Sequence, residues 1–214
     1  DPAGVVWFGC GGKLCRMEQG RISVVGGVPQ ERWDAIVTDS RGRLWIRSSR
    51  RLLVRPPGSS AFRSRDKGLP QSGDFGALAL GRDGRLFVPT GLGLAFRNER
   101  RWRLIGASQG LLTDDTSCLL QDREGSIWIG SRGAGLARWL GYKEWESWTE
   151  HEGLSSDVVW TMRRDPSGAL WVGTNQGLNR LSPDHRQWKA WRESDGLGGD
   201  RVRAVAVGPQ GEIW

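Results

Sequence analysis

Asp165-Pro166-Ser167-Gly168-Ala169-Leu170-Trp171-Val172-Gly173 is the stretch that decides the fold, because the chain restates it five more times. The other versions are DPAGVVWFG from Asp1, DSRGRLWIR from Asp39, GRDGRLFVP from Gly81, DREGSIWIG from Asp122 and GPQGEIW, which ends at Trp214. The aromatic residue of each version follows the previous one by 38, 42, 41, 43 and 43 residues. Such regular spacing is the signature of a repeat architecture.

A second motif, a glycine followed by valine or leucine, keeps the same period. It precedes the turn glycine of its repeat by 15 residues, or by 16 in one unit. The motif begins at Gly27, Gly68, Gly110, Gly153 and Gly196. We therefore predict that residues 1–214 form a single array of repeats led by these glycines. The chain begins inside one repeat and ends inside another, so we expect a fragment that is truncated at both ends.

The unit from 153 to 195 predicts four short β-strands. Its β-rich segments are separated by turns of Gly, Asn, Asp and Pro, and they cover 158–164, 169–174, 178–181 and 187–192. The aspartate of the DPSG turn is expected to accept backbone N–H groups. Helical periodicity is missing, so helices are not expected. Four antiparallel strands with this period are typical of a β-propeller blade.

The predicted fold is therefore all-β, a propeller of four-stranded antiparallel blades with about five repeats in this chain. Residues 209–214 repeat the role of residues 2–7, so a closed five-blade ring would have two candidates for one strand position. We expect an open arc of a larger propeller. The second-strand tryptophans are expected to be buried between neighbouring blades, and they are Trp45, Trp128 and Trp171.

Charge and cysteine content narrow the possible functions. The net charge is +7, but arginines are spread through every repeat, which favours a solvated surface over a nucleic-acid site. The sequence has no apolar window of about 18 residues that could cross a bilayer. Cys10 and Cys15 flank a short turn and could pair, which the sequence leaves open. Cys118 is expected to be a small buried residue.

The best-formed repeats resemble the two-component regulator propeller repeat. The lines that carry this resemblance are DREGSIWIGSRGAGLARW from Asp122 and DPSGALWVGTNQGLNRL from Asp165, and it weakens between Gly27 and Gln109. It implies a propeller of seven or more blades in the periplasmic part of a membrane-anchored bacterial receptor with a histidine kinase or diguanylate cyclase output. The resemblance allows that receptor to be either a monomer or a dimer. WD40 repeats are a poorer match, because no Gly-His dipeptide is present.

The leading functional prediction is a non-enzymatic sensing module that binds a small molecule or an oligosaccharide. Its other partners would be the remaining blades and the downstream domains of the parent chain. One alternative is an enzyme resembling the streptogramin-inactivating lyases, and another is a lectin-like surface. The only histidines, His151 and His185, lie in loops near outer strands, and no catalytic, metal or cofactor site is predicted.

A candidate ligand site is predicted where loops enter the innermost strands. Four residues after the leading glycine the chain carries Glu31, Asp114, Asp157 and Asp200, while the degenerate unit offers Ser72 or Gly73. The turns after the second strands should add polar groups to the same face, at Thr90, Ser131, Arg132, Thr174, Asn175 and Gln176. The acids either accept backbone N–H bonds in their own turns or form a polar ring that recognises hydroxyls or a cation.

Overall fold

The computed structural model describes residues 1, 3–71, 77–98, 101–141 and 144–214. Ser72 and Gly73, the degenerate counterparts of the predicted acids, lie outside the described residues. The chain forms two compact units, Asp1–Leu104 and Ile105–Trp214. The single array over residues 1–214 stays a prediction.

The first unit contains three antiparallel sheets. The first sheet has three strands, β1 (Val6–Cys10), β2 (Lys13–Glu18) and β3 (Arg21–Val24). The second sheet has four strands, β4 (Ala35–Thr38), β5 (Leu44–Arg47), β6 (Leu52–Arg55) and β7 (Arg63–Ser64). The third sheet also has four, β8 (Ala79–Leu80), β9 (Leu86–Thr90), β10 (Gly93–Asn98) and β11 (Arg101–Ile105).

The second unit contains two four-stranded antiparallel sheets and a final strand pair. The fourth sheet holds β12 (Thr116–Gln121), β13 (Ile127–Ser131), β14 (Leu136–Gly141) and β15 (Glu144–Trp148). The fifth sheet holds β16 (Val159–Arg164), β17 (Leu170–Thr174), β18 (Gly177–Leu181) and β19 (Trp188–Trp191). After them, Ala206 and Trp214 exchange two backbone hydrogen bonds of 2.9 Å. The all-β prediction of four-stranded antiparallel blades is confirmed.

Three 3₁₀ helices were not expected from the sequence. They are η1 (Ala107–Gln109), η2 (Glu150–Glu152) and η3 (Glu193–Asp195). Each ends at a leading glycine of the repeat, which has a φ of 101°, 101° and 99° at Gly110, Gly153 and Gly196. Left-handed backbone of this kind favours glycine and terminates a helix, which explains the recurring glycine. These single turns leave the all-β class unchanged.

Neighbouring sheets pack face to face within each unit, and their contact faces form the hydrophobic core. Between the first and second sheets the core consists of Leu14, Trp33, Leu44, Ile46 and Leu53. Between the second and third sheets it consists of Trp45, Leu52, Val54, Leu86, Val88 and Ala95. Between the fourth and fifth sheets it includes Trp128, Leu136, Met162, Val172 and Leu181. This is the stacking expected of propeller blades.

The glycine two residues after the motif tryptophan is required by this stacking. A Cβ atom at Gly173 would lie 2.6 Å from the carbonyl oxygen of Val202, and one at Gly130 would lie 2.6 Å from Val159 Cγ1 and from Cys118 Sγ. The chain that enters the next blade therefore runs directly against the second strand. Burial raises the pKa of the Cys118 thiol to about 12, as fits a packing role.

The prediction that the second-strand tryptophans are buried holds for two of three. Trp45 is 5% exposed and Trp128 is 0% exposed. Trp171 is only half-buried, and its ring stacks on Trp191 at 5.3 Å between centroids. The difference follows from the neighbouring sheet, because Trp128 is covered by His185 of the fifth sheet.

Cys10 and Cys15 form a disulfide bond across the hairpin between β1 and β2, with their Cα atoms 5.9 Å apart. This pairing was one of the alternatives that the sequence left open. Within the described ranges, no helix is long and apolar enough to cross a membrane.

Candidate ligand site

Backbone hydrogen bonds dock the turn after each second strand onto the loop that enters the next blade. In the fourth sheet, the N–H groups of Gly133 and Gly135 donate to the carbonyl oxygen of Asp157 at 3.0 and 2.9 Å. Arg132 directly precedes this turn and forms a bridge with Val158. The structure thus brings two predicted site residues, Arg132 and Asp157, to one edge of the stacked sheets.

The fifth sheet repeats this docking one blade later. Gly177 N–H donates to the carbonyl oxygen of Asp200 at 2.7 Å, and Val202 N–H donates to that of Thr174 at 2.9 Å. Asn175 and Gln176 form the turn between these contacts. The predicted turn residues and the predicted acid therefore lie together here as well.

The carboxylates of Asp114, Asp157 and Asp200 share one structural role. Oδ1 of each accepts the backbone N–H that begins the 3₁₀ helix seven residues earlier, from Ala107 at 2.7 Å, Glu150 at 2.8 Å and Glu193 at 2.7 Å. Within the described part of the chain, Oδ2 of these three acids accepts no hydrogen bond. One oxygen of each carboxylate thus stabilises the fold, while the other has no donor among the described residues.

Glu31 and Thr174 differ from the rest of the predicted site. Glu31 binds Arg51 Nε at 2.7 Å and makes a short hydrogen bond to the Ser48 hydroxyl, so both of its oxygens are engaged within its own blade. Thr174 is 0% exposed, and its hydroxyl donates to the carbonyl oxygen of Gly177 at 3.0 Å. The Thr174 hydroxyl is therefore enclosed, although the residue belongs to the predicted turn.

Asp115 is a residue of this edge that the sequence reasoning missed. Its Oδ1 accepts from Nη2 and Nε of Arg132 at 2.6 and 3.1 Å. The two adjacent aspartates Asp114 and Asp115 were the available signal, because one can cap the short helix while the other pairs with arginine. This ion pair holds the Arg132 side chain at the edge of the fourth sheet.

A second polar cluster lies between the fourth and fifth sheets. Asp122 Oδ2 accepts from the Trp128 indole N–H at 2.9 Å and from Arg138 Nη2 at 3.1 Å. Burial opposes ionisation of Asp122, but these bonds outweigh it and lower its pKa. Arg138 Nη1 also lies 3.3 Å from His185 Nδ1. This cluster is enclosed between blades and joins them.

The two histidines lie in different surroundings. His185 faces the guanidinium of Arg138, and His151 lies on η2, where its backbone N–H donates to the Thr149 hydroxyl at 3.2 Å. Among the described residues, no group of three or more His, Cys, Asp or Glu side chains could hold a metal ion.

Two segments of the chain match a known family model. Residues 110–133 and 153–176 match the model described as Two component regulator propeller. These two segments are two component regulator propeller repeats. They contain the acids Asp114 and Asp157 and the turn residues Arg132, Asn175 and Gln176, so the resemblance inferred from the sequence is confirmed for the units led by Gly110 and Gly153. A comparison with curated proteins finds no match.

Solved structures with low sequence identity share the fold of these propeller repeats. The extracellular domain of a putative hybrid two component system from B. thetaiotaomicron has a TM-score of 0.85 and 18% identity, with 100% of this chain and 31% of that chain covered. A second such domain has a TM-score of 0.83, 18% identity and coverages of 100% and 29%. Virginiamycin B lyase from Staphylococcus aureus has a TM-score of 0.79, 11% identity and coverages of 100% and 74%. The chain therefore spans less than a third of the two extracellular domains.

Proposed function

We propose that this chain is a ligand-sensing propeller segment of a bacterial membrane signalling receptor. The observation that carries the proposal is the pair of two component regulator propeller repeats at 110–133 and 153–176. Its fold likeness to extracellular domains of putative hybrid two component systems supports the same assignment. The segment itself performs no chemistry and passes the signal to a cytoplasmic output domain of the parent protein.

We place the chain in the periplasm. Disulfides form and persist in oxidising compartments, and the bond between Cys10 and Cys15 supports such a location. The parent receptor is membrane-anchored, with the remaining blades and a downstream output module as the partners of this segment. A histidine kinase or a diguanylate cyclase would serve as that output.

The ligand site that we propose lies at the edge where the docked turns meet the entering loops. Asp157 and Asp200 each keep one carboxylate oxygen that has no donor in the described part of the chain, and Asn175, Gln176 and Arg132 add amide and guanidinium groups. Convergent polar groups of this kind recognise the hydroxyls of small molecules and sugars. The partner is a small molecule or a carbohydrate.

Asparagine variants separate recognition from folding at this edge. In Asp157→Asn and Asp200→Asn the amide oxygen can still accept the N–H of Glu150 or Glu193, while the negative charge is lost. We expect both variants to melt like the parent and to lose binding in a screen of glycans, small metabolites and metal ions. Glu144→Gln, on the exposed outer strand β15, is the matched control.

Signalling requires the intact receptor. A reporter for the output domain should respond to the compound found in the screen, and Asp157→Asn should weaken that response. If a compound binds the chain but leaves the output of the intact receptor unchanged, the sensor proposal is wrong. If Asp157→Asn binds every compound as the parent does, the carboxylates serve only the fold.

A propeller-scaffold lyase is the second candidate, because virginiamycin B lyase shares the fold over 100% of this chain. Incubation of the chain with quinupristin, the compound named with that structure, tests it by mass spectrometry. We expect no product. Turnover that disappears in His151→Ala or His185→Ala would replace the sensor proposal with an enzymatic one.

A further inference from the structure

Two arginines of the first unit occupy positions that the second unit fills with core residues. The third sheet carries Arg97 four residues after the hairpin glycine Gly93, where the fifth sheet carries Leu181 four residues after Gly177. Leu181 is 0% exposed and packs in the core against the fourth sheet. Arg97 therefore projects toward the second sheet from a position that holds a core leucine in the fifth sheet.

Arg65 is the second such replacement. Its backbone N–H donates to the carbonyl oxygen of Leu52 at 2.8 Å. Leu136 is the residue of the fourth sheet that corresponds to Leu52, and it pairs with Trp148 on the outer strand. Trp148 stacks on Trp128 with ring centroids 5.1 Å apart. Because Arg65 takes this place in the second sheet, Trp45 has no such stacked neighbour among the described residues.

The two replacements open a cleft between the second and third sheets. One part of it has a volume of about 550 Å³ and the adjoining part about 600 Å³, and Arg65 and Arg97 line both parts. Trp45 lines the first part and Trp102 lines the second. Volumes of this size are typical of small-molecule sites, which range over roughly 300–1,000 Å³.

The cleft has a large excess of positive charge. Among the described residues, the first part is lined by six arginines and by two carboxylates, Asp39 and Asp83. Each carboxylate is already paired, Asp39 with Arg43 at 2.6 Å and Asp83 with Arg85 at 2.9 Å. The second part has four basic residues and no carboxylate among its described lining residues.

Neither central arginine has an acidic partner within the described residues. Arg65 Nη1 donates to the carbonyl oxygen of Ser64 at 2.8 Å, and the Arg97 guanidinium lies 5.9 Å from the Trp102 ring centroid. Arg138 in the second unit, by contrast, is held by Asp122 and by Glu146, each at 3.1 Å. Among the described residues, the positive charge of the first unit thus converges on this cleft without an acidic partner for Arg65 or Arg97.

We propose that this cleft binds a compact oxyanion through Arg65 and Arg97. A sulfate, phosphate or carboxylate group can accept paired N–H bonds from a planar guanidinium, and such charge-assisted bonds are about twice as strong as neutral ones. The Trp45 and Trp102 rings would contact the body of the molecule that carries the anion. For its biological role this inference rests on the proposed sensing function, and it adds the chemistry of the ligand.

Binding of inorganic sulfate to the full chain tests the proposal. Calorimetric titrations at a fixed ionic strength, adjusted with sodium chloride, remove the general screening effect of salt. We expect the Kd for sulfate to rise at least about tenfold in Arg65→Gln/Arg97→Gln, because two charge-assisted contacts are lost. The matched control is Arg21→Gln/Arg50→Gln, which removes two exposed arginines of the same unit.

Three outcomes would overturn the proposal. Sulfate binding could fail in the parent chain, it could persist in Arg65→Gln/Arg97→Gln when circular dichroism shows a folded protein, or both double variants could lose it equally. Tighter binding of a short single-stranded DNA than of sulfate at the same ionic strength would replace it with a nucleic-acid site. Because these titrations need no output domain, they fail or succeed independently of the receptor reporter.

Parallel titrations identify whether the ligand carries a carboxylate, a sulfate or a phosphate group. Sodium phosphate, sodium malonate and sodium sulfate all supply oxyanions, but the geometry of the anion differs. A preference for malonate would assign a carboxylate ligand, and a preference for sulfate or phosphate would assign the corresponding ester. Equal weak binding of all three, unaffected by Arg65→Gln/Arg97→Gln, would show general ion association and contradict the proposal.

Discussion

The indole N–H of Trp128 donates to Oδ2 of Asp122 at 2.9 Å, and the two residues are six positions apart. The same bond, with the same length and spacing, joins Trp7 to Asp1, Trp45 to Asp39 and Trp171 to Asp165. In the third sheet both partners are absent together, because Gly81 replaces the aspartate and Phe87 replaces the tryptophan. The spacing of six residues thus lets the carboxylate of the turn accept the indole N–H of the following strand.

Asp122→Ala should destabilise the second unit strongly. Asp122 is 2% exposed, and its loss leaves the Trp128 indole N–H and the Arg138 guanidinium without their shared acceptor. Removal of one partner of a buried ion pair costs roughly 3–5 kcal/mol. Asp83→Ala removes an ion pair with Arg85 whose side chains are 49% and 52% exposed, so it should cost less than about 1 kcal/mol. Denaturant unfolding measures both, and equal losses would contradict this role of Asp122.

Trp128→Ala and Trp171→Ala should differ, although both residues occupy the same repeat position. Trp128 is 0% exposed, and truncation of a buried aromatic costs roughly 3–5 kcal/mol. Trp171 is half-buried and stacks on Trp191 within its own sheet, so its loss leaves a smaller cavity. Matched urea titrations should give a clearly lower midpoint for Trp128→Ala. Identical midpoints would mean that the neighbouring sheet does not determine the burial of the motif tryptophan.

The contrast between these tryptophans shows what the repeat pattern can predict. The pattern located the strands, the turns and the accepting role of the turn aspartate, because those depend on residues within one repeat. Exposure of Trp171 depends on what packs against its sheet, and Arg164 and His185 contact Trp128 only because the fifth sheet stacks on the fourth. Such contacts depend on the neighbouring blade and cannot be inferred from one repeat alone.

The candidate site was predicted only in outline. The acids and turns were placed at one edge because strand order fixes where loops meet, and backbone hydrogen bonds join Asp157 and Asp200 to the turns as expected. The sequence did not predict the capping role of their side chains, since it left two alternatives: backbone N–H bonds within the acids' own turns, or a polar ring that recognises hydroxyls or a cation. The short helices had one sequence signal, the capping pair Thr149 and Glu152, in which the carboxylate accepts the Thr149 N–H at 2.8 Å.

Gly173→Ala should destabilise the protein through a backbone clash. The new Cβ would lie 2.6 Å from the carbonyl oxygen of Val202 and 2.7 Å from Thr161 Cγ2, and the first of these atoms belongs to backbone that is hydrogen-bonded to Thr174. Overpacking of this kind costs roughly 1–3 kcal/mol. Gly198→Ala meets no atom within 4 Å and should change stability by less than about 0.5 kcal/mol. A thermal melt of Gly173→Ala equal to that of Gly198→Ala would contradict the close approach of the next blade.

His185 should make the stability of the second unit depend on pH. Arg138 carries only donors, so its contact of 3.3 Å requires His185 Nδ1 to accept and the imidazole to be neutral. Burial and the guanidiniums of Arg138 and Arg164 lower the pKa of His185 below its ordinary 6.5, although Glu146 and Asp122 act in the opposite direction. The folded protein therefore binds this proton less readily than the unfolded chain does.

The sign of the effect follows from this difference. Below the ordinary pKa of 6.5 the unfolded state binds the proton first, so the free energy of unfolding falls as the pH drops from 6.5 to the lower pKa of the folded state. His185→Gln keeps an acceptor for Arg138 but cannot titrate, and it should flatten this part of the profile. The control variant is His151→Gln, at an exposed position on η2. Denaturant midpoints measured from about pH 7.5 to about pH 5 decide the question, because an unchanged slope in His185→Gln would mean that another group binds the proton.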